Sequence, residues 1–349
     1  MFNVLLKFWV IFTIYLLYNI GVHGAVATSS SSGCNLQEEE CVYEYTLVIG
    51  KHVLPGVGER VTVNGTVPGP ALYVELGCKV EVTVINEIPD DMTTVHWHGL
   101  TQRGTPFSDG VINVTQCPIY NISGSNSMKY KFYPDRAGTF WYHGHVHEQY
   151  LDGLFGALIV QDAEEPAMYA AAGAAYDIDS PDWILQVYDY YAQMTGNLLP
   201  WYLSPASGGD EPMPDAYMVN GKFSGGSLAI QAMRNGGKVR VRAINTAGFS
   251  MFKFSVDGMP MTIIELDGEA ITPVDVSSFS MNVAQRVSFV LDFSRIHSSL
   301  ASSPALWIRF EGMPQMYPTY NESAPALGKE AVCHVSSSIF IDAVYRFVW

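Results

Sequence analysis

The chain has 349 residues, a length that suggests two domains, and with 48% hydrophobic and 15% charged residues it can bury sizeable cores. Its formal net charge of −15 argues against a nucleic-acid partner and leaves metal cations and cationic or neutral small molecules as ligands.

At the start, Lys7, an apolar run from Phe8 to Val22 and the short residues before Ala25 form a signal-peptide pattern over residues 1–24. As an anchor the run falls short of the roughly 20 residues that span a bilayer. No second stretch of this kind follows, so a secreted chain without a membrane partner is expected. Sequons at Asn64, Asn113, Asn121 and Asn321 agree with a secreted glycoprotein, although Val63-Asn64-Gly65 is equally a tight hairpin turn. Five cysteines leave an odd one in an oxidising compartment. Cys34 and Cys41 are close enough in sequence to staple the mature N-terminus.

From Tyr43 onward, segments such as YTLVIG, RVTVNG, KVEVTVIN and MKYKFYP alternate with Gly, Pro and Asn, which predicts an all-β sandwich or barrel with little helix. His96-Trp97-His98-Gly99 and Trp141-Tyr142-His143-Gly144-His145 read as strand ends. Histidines two apart leave on one face of the pleat, Trp97 points to the other, and Gly144 carries no side chain. One His-x-His in a β protein is ordinary polar decoration. Two copies, each flanked by tryptophan and glycine and together holding four of nine histidines, point instead to four imidazoles converging on metal. Imidazole suits copper, zinc, iron and nickel, so residue type alone does not name the ion. His147 stays on the same face if its strand runs on and reads as a polar neighbour; His52, His297 and His334 stand alone.

An internal repeat follows. Val63-Asn64-Gly65 recurs as Val219-Asn220-Gly221, and GCKVEVTVIN (77–86) recurs as GGKVRVRAIN (236–245), which means tandem copies of one domain. The expected division is domain 1 over 25–165, a linker rich in Ala, Gly and acidic residues over 166–180, domain 2 over 181–325 and a tail over 326–349. Carrying the offset between Asn86 and Asn245 forward puts Ser255 on His96 and Asp257 on His98. A looser match of WYHGH to WIRFE puts Arg309 and Glu311 on His143 and His145, so the second copy is expected to bind no metal.

HWHGLTQRGTPFSDG (96–110), VTQCPI (114–119) and WYHGHVHEQYLDGLFGALIV (141–160) resemble the first domain of the multicopper oxidases, the laccase and ascorbate oxidase group. DWILQVYDYY, MVNGK, RVRAIN and FSVDGMPMTIIELDG resemble their copper-free second domain, so the resemblance covers residues 43 to about 315. It implies tandem cupredoxin-like Greek-key sandwiches and copper as cofactor. It also implies an activity: electrons taken singly from a reductant such as a phenol at a type 1 copper, then passed to a trinuclear cluster that reduces dioxygen to water. On this resemblance His96 would bind the type 2 copper and His98, His143 and His145 the type 3 pair. Asp109, in the matching SDG, would relay protons; without the resemblance it reads as a turn residue before Gly110. Phe140, Trp141 and Tyr142 read as packing around the site. Cys117 matches a family cysteine that bridges to the segment between the two domains, yet no cysteine lies between 118 and 332, and Cys78 and Cys333 stay open as its partner.

The family's third-domain motifs, HPxHLHG and HCH, do not occur in these residues. Cys333-His334 comes nearest, with Val332 where a histidine would precede it, and IFIDAVYRFVW reads as if cut mid-domain. As written, the chain is expected to lack the type 1 site. Three readings stay open: a truncated form of a laccase-like enzyme, a copper-binding glycoprotein without turnover, and a half-enzyme completed by another chain.

Overall fold

The computed structural model describes residues 41–223, 237–296, 305–313 and 330–336. The first ten strands are β1 (Val42–Leu54), β2 (Gly58–Val63), β3 (Leu72–Glu75), β4 (Lys79–Asn86), β5 (Met92–Thr93), β6 (Val95–His98), β7 (Ile119–Tyr120), β8 (Ser127–Phe132), β9 (Gly138–Gly144) and β10 (Phe155–Gln161). They form sheets ordered β2-β1-β4-β8 and β3-β10-β9-β6, with β5 and β7 as a short separate pair. Between the two main sheets lies one apolar core that includes Val82, Val84, Trp97, Tyr130, Phe132, Phe140 and Tyr142. Trp97 is fully buried, with its ring 4.9 Å from Phe132 and 5.4 Å from Tyr130.

A second sandwich repeats the plan with β11 (Ile184–Tyr190), β12 (Ala216–Val219), β13 (Lys238–Asn245), β14 (Phe252–Val256), β15 (Met261–Leu266), β16 (Glu269–Val276), β17 (Ser278–Met281), β18 (Arg286–Asp292), β19 (Ala305–Gly312) and β20 (Glu330–Ser336). Its sheets run β12-β11-β13-β18-β15-β16 and β17-β14-β19-β20. In each sandwich the repeated strand, β4 or β13, lies parallel to one neighbour and antiparallel to the other. β20 falls inside the stretch that reads from sequence as a tail. Residues 1–40, Asn321 and His297 lie outside the described residues, among which no helix is long and apolar enough to cross a membrane.

Two pairs of asparagines, one pair for each repeated word, explain why the words are repeated. Asn64 and Asn220 sit at φ of 52° and 49°, where a short polar side chain is tolerated. Asn64 Oδ1 accepts the Val48 N–H at 2.7 Å and its Nδ2 donates to the Thr46 carbonyl at 3.2 Å. Asn220 does the same with Gln186 N–H at 2.8 Å and the Ile184 carbonyl at 2.8 Å. Each amide thereby continues a strand pairing past the hairpin. At the end of the second repeated word, fully buried Asn86 donates to the carbonyls of Asp91 and Ile119 and accepts from Ile88 N–H. Fully buried Asn245 donates to those of Ser250 and Met281 and accepts from Ala247 N–H.

The segment between the sandwiches is packed, not slack. A short helix, α1 (Glu165–Ala171), buries Glu165 and Tyr169. Glu165 accepts from Arg240 of β13, which also pairs with Glu265 of β15, and Asp179 binds Arg242 through both carboxylate oxygens at 2.9 and 2.6 Å. A second helix, α2 (Thr195–Tyr202), follows β11.

The cysteines depart from expectation. Cys41 is bonded to Cys78, not to Cys34, and this also removes Cys78 as a partner for Cys117, which is exposed and free. The reason is the parallel β1–β4 register, in which Val42 faces Lys79 and so brings Cys41 and Cys78 to a Cα separation of 5.0 Å.

Asn86→Ala and Asn245→Ala are each expected to lower stability by about 2–4 kcal/mol, because each orphans three buried backbone groups. Urea unfolding of the two variants checks this, and a loss below about 1 kcal/mol in both would contradict the shared role.

Candidate metal centre

β6 and β9 pair antiparallel with His96 opposite His143 and His98 opposite Trp141. The two-residue period of each strand then sends His96, His98, Trp141 and His143 to one face while Trp97, Phe140 and Tyr142 enter the core. β9 ends at Gly144, and His145 is held just beyond it by its N–H to the Thr94 carbonyl at 3.3 Å. Glycines close the two ends. Gly99 turns the chain at φ 97° with no room for a Cβ, and Gly110, at φ 87°, packs against the Val95 carbonyl.

All four expected imidazoles come together. His96 has ring centroids of His98, His143 and His145 at 5.8, 5.3 and 5.5 Å, and His143 lies 5.5 Å from His98 and 6.0 Å from His145. Donor atoms of His96, His98 and His143 all lie within 4.8 Å of one another. His147 is not part of the group: the strand has ended, and this residue sits exposed at φ 47°.

The outer ring nitrogens are already engaged. His96 Nδ1 is 2.7 Å from the Asp109 carbonyl and His143 Nδ1 is 2.9 Å from the Gly144 carbonyl. A carbonyl only accepts, so each Nδ1 carries the proton and each Nε2 keeps its lone pair. Asp109 caps the turn Pro106–Ser108, and its carboxylate oxygen lies 3.4 Å from His96 Nδ1. Burial pushes His98 down to about 4, helped by the charge of Arg286, and pushes His143 down to about 3. Burial also lowers His96, partly offset by the hydrogen bond to Asp109. These three are neutral, ligand-competent imidazoles near pH 7.

A multicopper oxidase family model matches residues 51–165 and a second multicopper oxidase model matches residues 182–299, together more than half of the chain. The chain belongs to the multicopper oxidase family. It is 33% identical over 289 residues to a laccase from Pycnoporus cinnabarinus, covering 76% of this chain and 52% of that protein. The chain spans about half the length of the curated relatives it matches. Among solved structures, a laccase from Botrytis aclada superposes with a TM-score of 0.67 at 26% identity over 86% of this chain and 53% of its own. A blue copper oxidase from Nitrosomonas europaea gives 0.62 at 26%, covering 83% of this chain and 85% of that one. Both sandwiches are accordingly cupredoxin-like.

Multicopper oxidases use copper, and the donor set fits it. His98 Nδ1 and His143 Nε2 are 3.3 Å apart. Two nitrogens bound to one ion by bonds of about 2.0 Å at a tetrahedral angle are also about 3.3 Å apart. In the second sandwich the matching strands β14 and β19 pair Ser255 with Arg309, as His96 pairs with His143. There Arg309 grips Asp257 with two hydrogen bonds of 2.8 and 2.7 Å, an ion pair in place of imidazoles. The carbonyl partners of His96 and His143 have no sequence signature, since any residue supplies a backbone oxygen. Arg286, from the other sandwich, had none either.

Stability should follow the buried imidazoles. An unfolded histidine titrates near 6.5, so between about pH 6.5 and 4 the unfolded chain takes up protons that folded His98 and His143 refuse, and stability is lost as pH falls through that window. The urea midpoint of the copper-stripped chain is expected to drop between pH 7 and pH 5, and to drop less in a His98→Asn, His143→Asn double variant. An equal drop in both proteins would remove these histidines as its source.

Proposed function

We propose that this chain is the two-sandwich part of a secreted laccase-type oxidase, which draws electrons from phenolic reductants and reduces dioxygen to water, with His96, His98, His143 and His145 as its copper ligands. The observation that carries this reading is the convergence of four imidazoles, with the outer nitrogens of His96 and His143 held by carbonyls. His96 serves the type 2 position and the other three the type 3 pair. Copper, when bound, supplies one-electron chemistry. The chain's own residues orient the rings, and Trp141, 2% exposed and 4.3 Å from the His143 ring, keeps water from their flank. Asp109 is the proton relay, supported by a carboxylate that is 25% exposed and within 3.4 Å of His96. The second sandwich is read as metal-free, because among the described residues two of its four matching positions, Asp257 and Arg309, pair with each other.

Cys34, Cys41, Cys78, Cys117 and Cys333 are the cysteines, and none stands between two histidines. This supports reading these 349 residues as lacking the type 1 site, whose ligand set is a thiolate and two imidazoles. A second reading, completion by another chain, is favoured by the blue copper oxidase from Nitrosomonas europaea, of which this chain covers 85%.

The full chain, purified and loaded with copper, is expected to be colourless and to drive no oxygen uptake with a diphenol. Its copper content should fall in a His98→Ala, His143→Ala variant, since losing an outer support of a ligand already weakens a metal site about 10-fold and losing the ligand removes more. Unchanged copper content would remove the ligand assignment. Oxygen uptake that disappears in His143→Ala would favour the second reading.

The secreted form is expected to have lost residues 1–24 and to carry glycan at Asn113, whose side chain is exposed at a turn, and not at Asn64, whose amide bridges two strands. Glycopeptide mapping reads both, and an occupied Asn64 with Asn113 bare would reverse this assignment.

A further inference from the structure

We infer that Arg286, on the copper-free sandwich, is a positioning residue for the histidine cluster of the other: it fixes the stretch of β9 that leads to His143 and the turn that follows His98. The inference rests on the reading of those histidines as ligands. It begins with an edge. β6 covers β9 only from Gly144 back to Trp141, so the side of β9 from Phe140 to Gly138 has no strand partner there. The second sandwich supplies one from side chains.

Thr139, wholly buried, has every polar group met across the seam. Its N–H donates to Glu265 Oε1 at 2.8 Å, its hydroxyl lies 2.9 Å from Ser288 Oγ and accepts from Arg242 Nη1 at 2.7 Å, and its carbonyl accepts from Arg286 Nε at 3.0 Å. The same Arg286 guanidinium passes so close to Gly99, the residue after His98, that a Cβ there would stand 2.6 Å from Nη2. One rigid fork thus reaches the backbone of β9 and of the turn that follows β6.

The fork is itself immobile. Arg286 Nη1 donates to the Ala284 carbonyl at 3.1 Å, Nη2 donates to the Asp267 carbonyl at 2.9 Å, and the guanidinium pairs with the Asp267 carboxylate at 3.2 Å. At 4% exposure it has no freedom to follow a shift of β9, so β9 must conform to it. Phe140, between Thr139 and Trp141, packs under Arg286 at 5.7 Å and under Arg136 at 5.4 Å, and Arg136 also binds the Gly99 carbonyl at 2.7 Å. A lysine has the charge but not the planar set of donors that makes these contacts together.

The test uses the full chain with Arg286→Gln and Arg286→Lys, and Arg295→Gln as a control on an exposed arginine of the same sandwich. Without copper, nitrogen-15 spectra of the imidazoles are expected to move for His98 and His143 and to stay put for His52 in both Arg286 variants, and to stay put throughout in the control. With copper, both variants are expected to bind about 10-fold more weakly, the usual loss when an outer support is removed, and to show a changed copper(II) hyperfine pattern. Unmoved His98 and His143 signals in a folded Arg286 variant, of either kind, overturn the inference. A wild-type chain that binds no copper overturns the ligand reading instead, and the copper-free spectra still decide the positioning. Wild-type behaviour in Arg286→Lys would mean that charge alone matters, which also overturns it.

Discussion

Everything at the histidine cluster depends on one antiparallel register, that of β6 against β9. His96 faces His143 because Val95 faces Gly144 and Trp97 faces Tyr142. A slip of one residue would turn Trp97 out and drive histidines into the apolar core, since the side-chain period is two. The core resists that slip with its largest groups: Trp97, Phe140 and Tyr142 are all at zero exposure, and the Trp97 ring packs on Tyr130 and Phe132 of β8 and on Tyr142. The cluster is therefore held by the face of the sheet that carries none of its histidines.

The second sandwich uses the same frame for a different end. Its β14–β19 pairing reproduces the register, and its buried Asn245 reproduces the bonds of Asn86, so what is shared by the two copies is backbone logic. What differs is the face that β6 and β9 give to histidines. There the second copy has an Asp257–Arg309 pair, whose formal charges satisfy one another, where neutral imidazoles would leave lone pairs directed at an ion.

How much of this was legible follows from what leaves a trace in residue types. The strands, the tandem plan and the four histidines were legible because period two and the Val-Asn-Gly and Lys-Val repeats are written in side chains. His147, read as a polar neighbour and not as one of the cluster, stands exposed beyond the end of the strand at Gly144. The Cys41–Cys78 bond was not legible, since it follows from a parallel pairing of strands that are distant in sequence. Nor were the partners of the imidazoles, because two are backbone carbonyls and the cation that acts on His98, Arg286, comes from the other sandwich. The segment 166–180 looked like a linker by composition, and its helix and acidic residues take their roles from arginines on β13.

Those arginines bear on why the two halves hold one arrangement. Arg240 and Arg242 are essentially unexposed, and around them stand Glu165, Asp179 and Glu265. Replacing such a buried network by apolar groups of equal volume is often neutral or stabilising, so the network is poor evidence for added stability. Its geometry is more restrictive than that of an apolar contact. Glu265 binds both Arg240 and the Thr139 N–H, so an arginine that ties down the linker and a strand that carries a cluster histidine share one carboxylate. An apolar seam would let one sandwich slide on the other by a fraction of an ångström at little cost. Directed hydrogen bonds to Thr139 penalise that slide, and the spacing of the imidazoles is sensitive to displacements of that size.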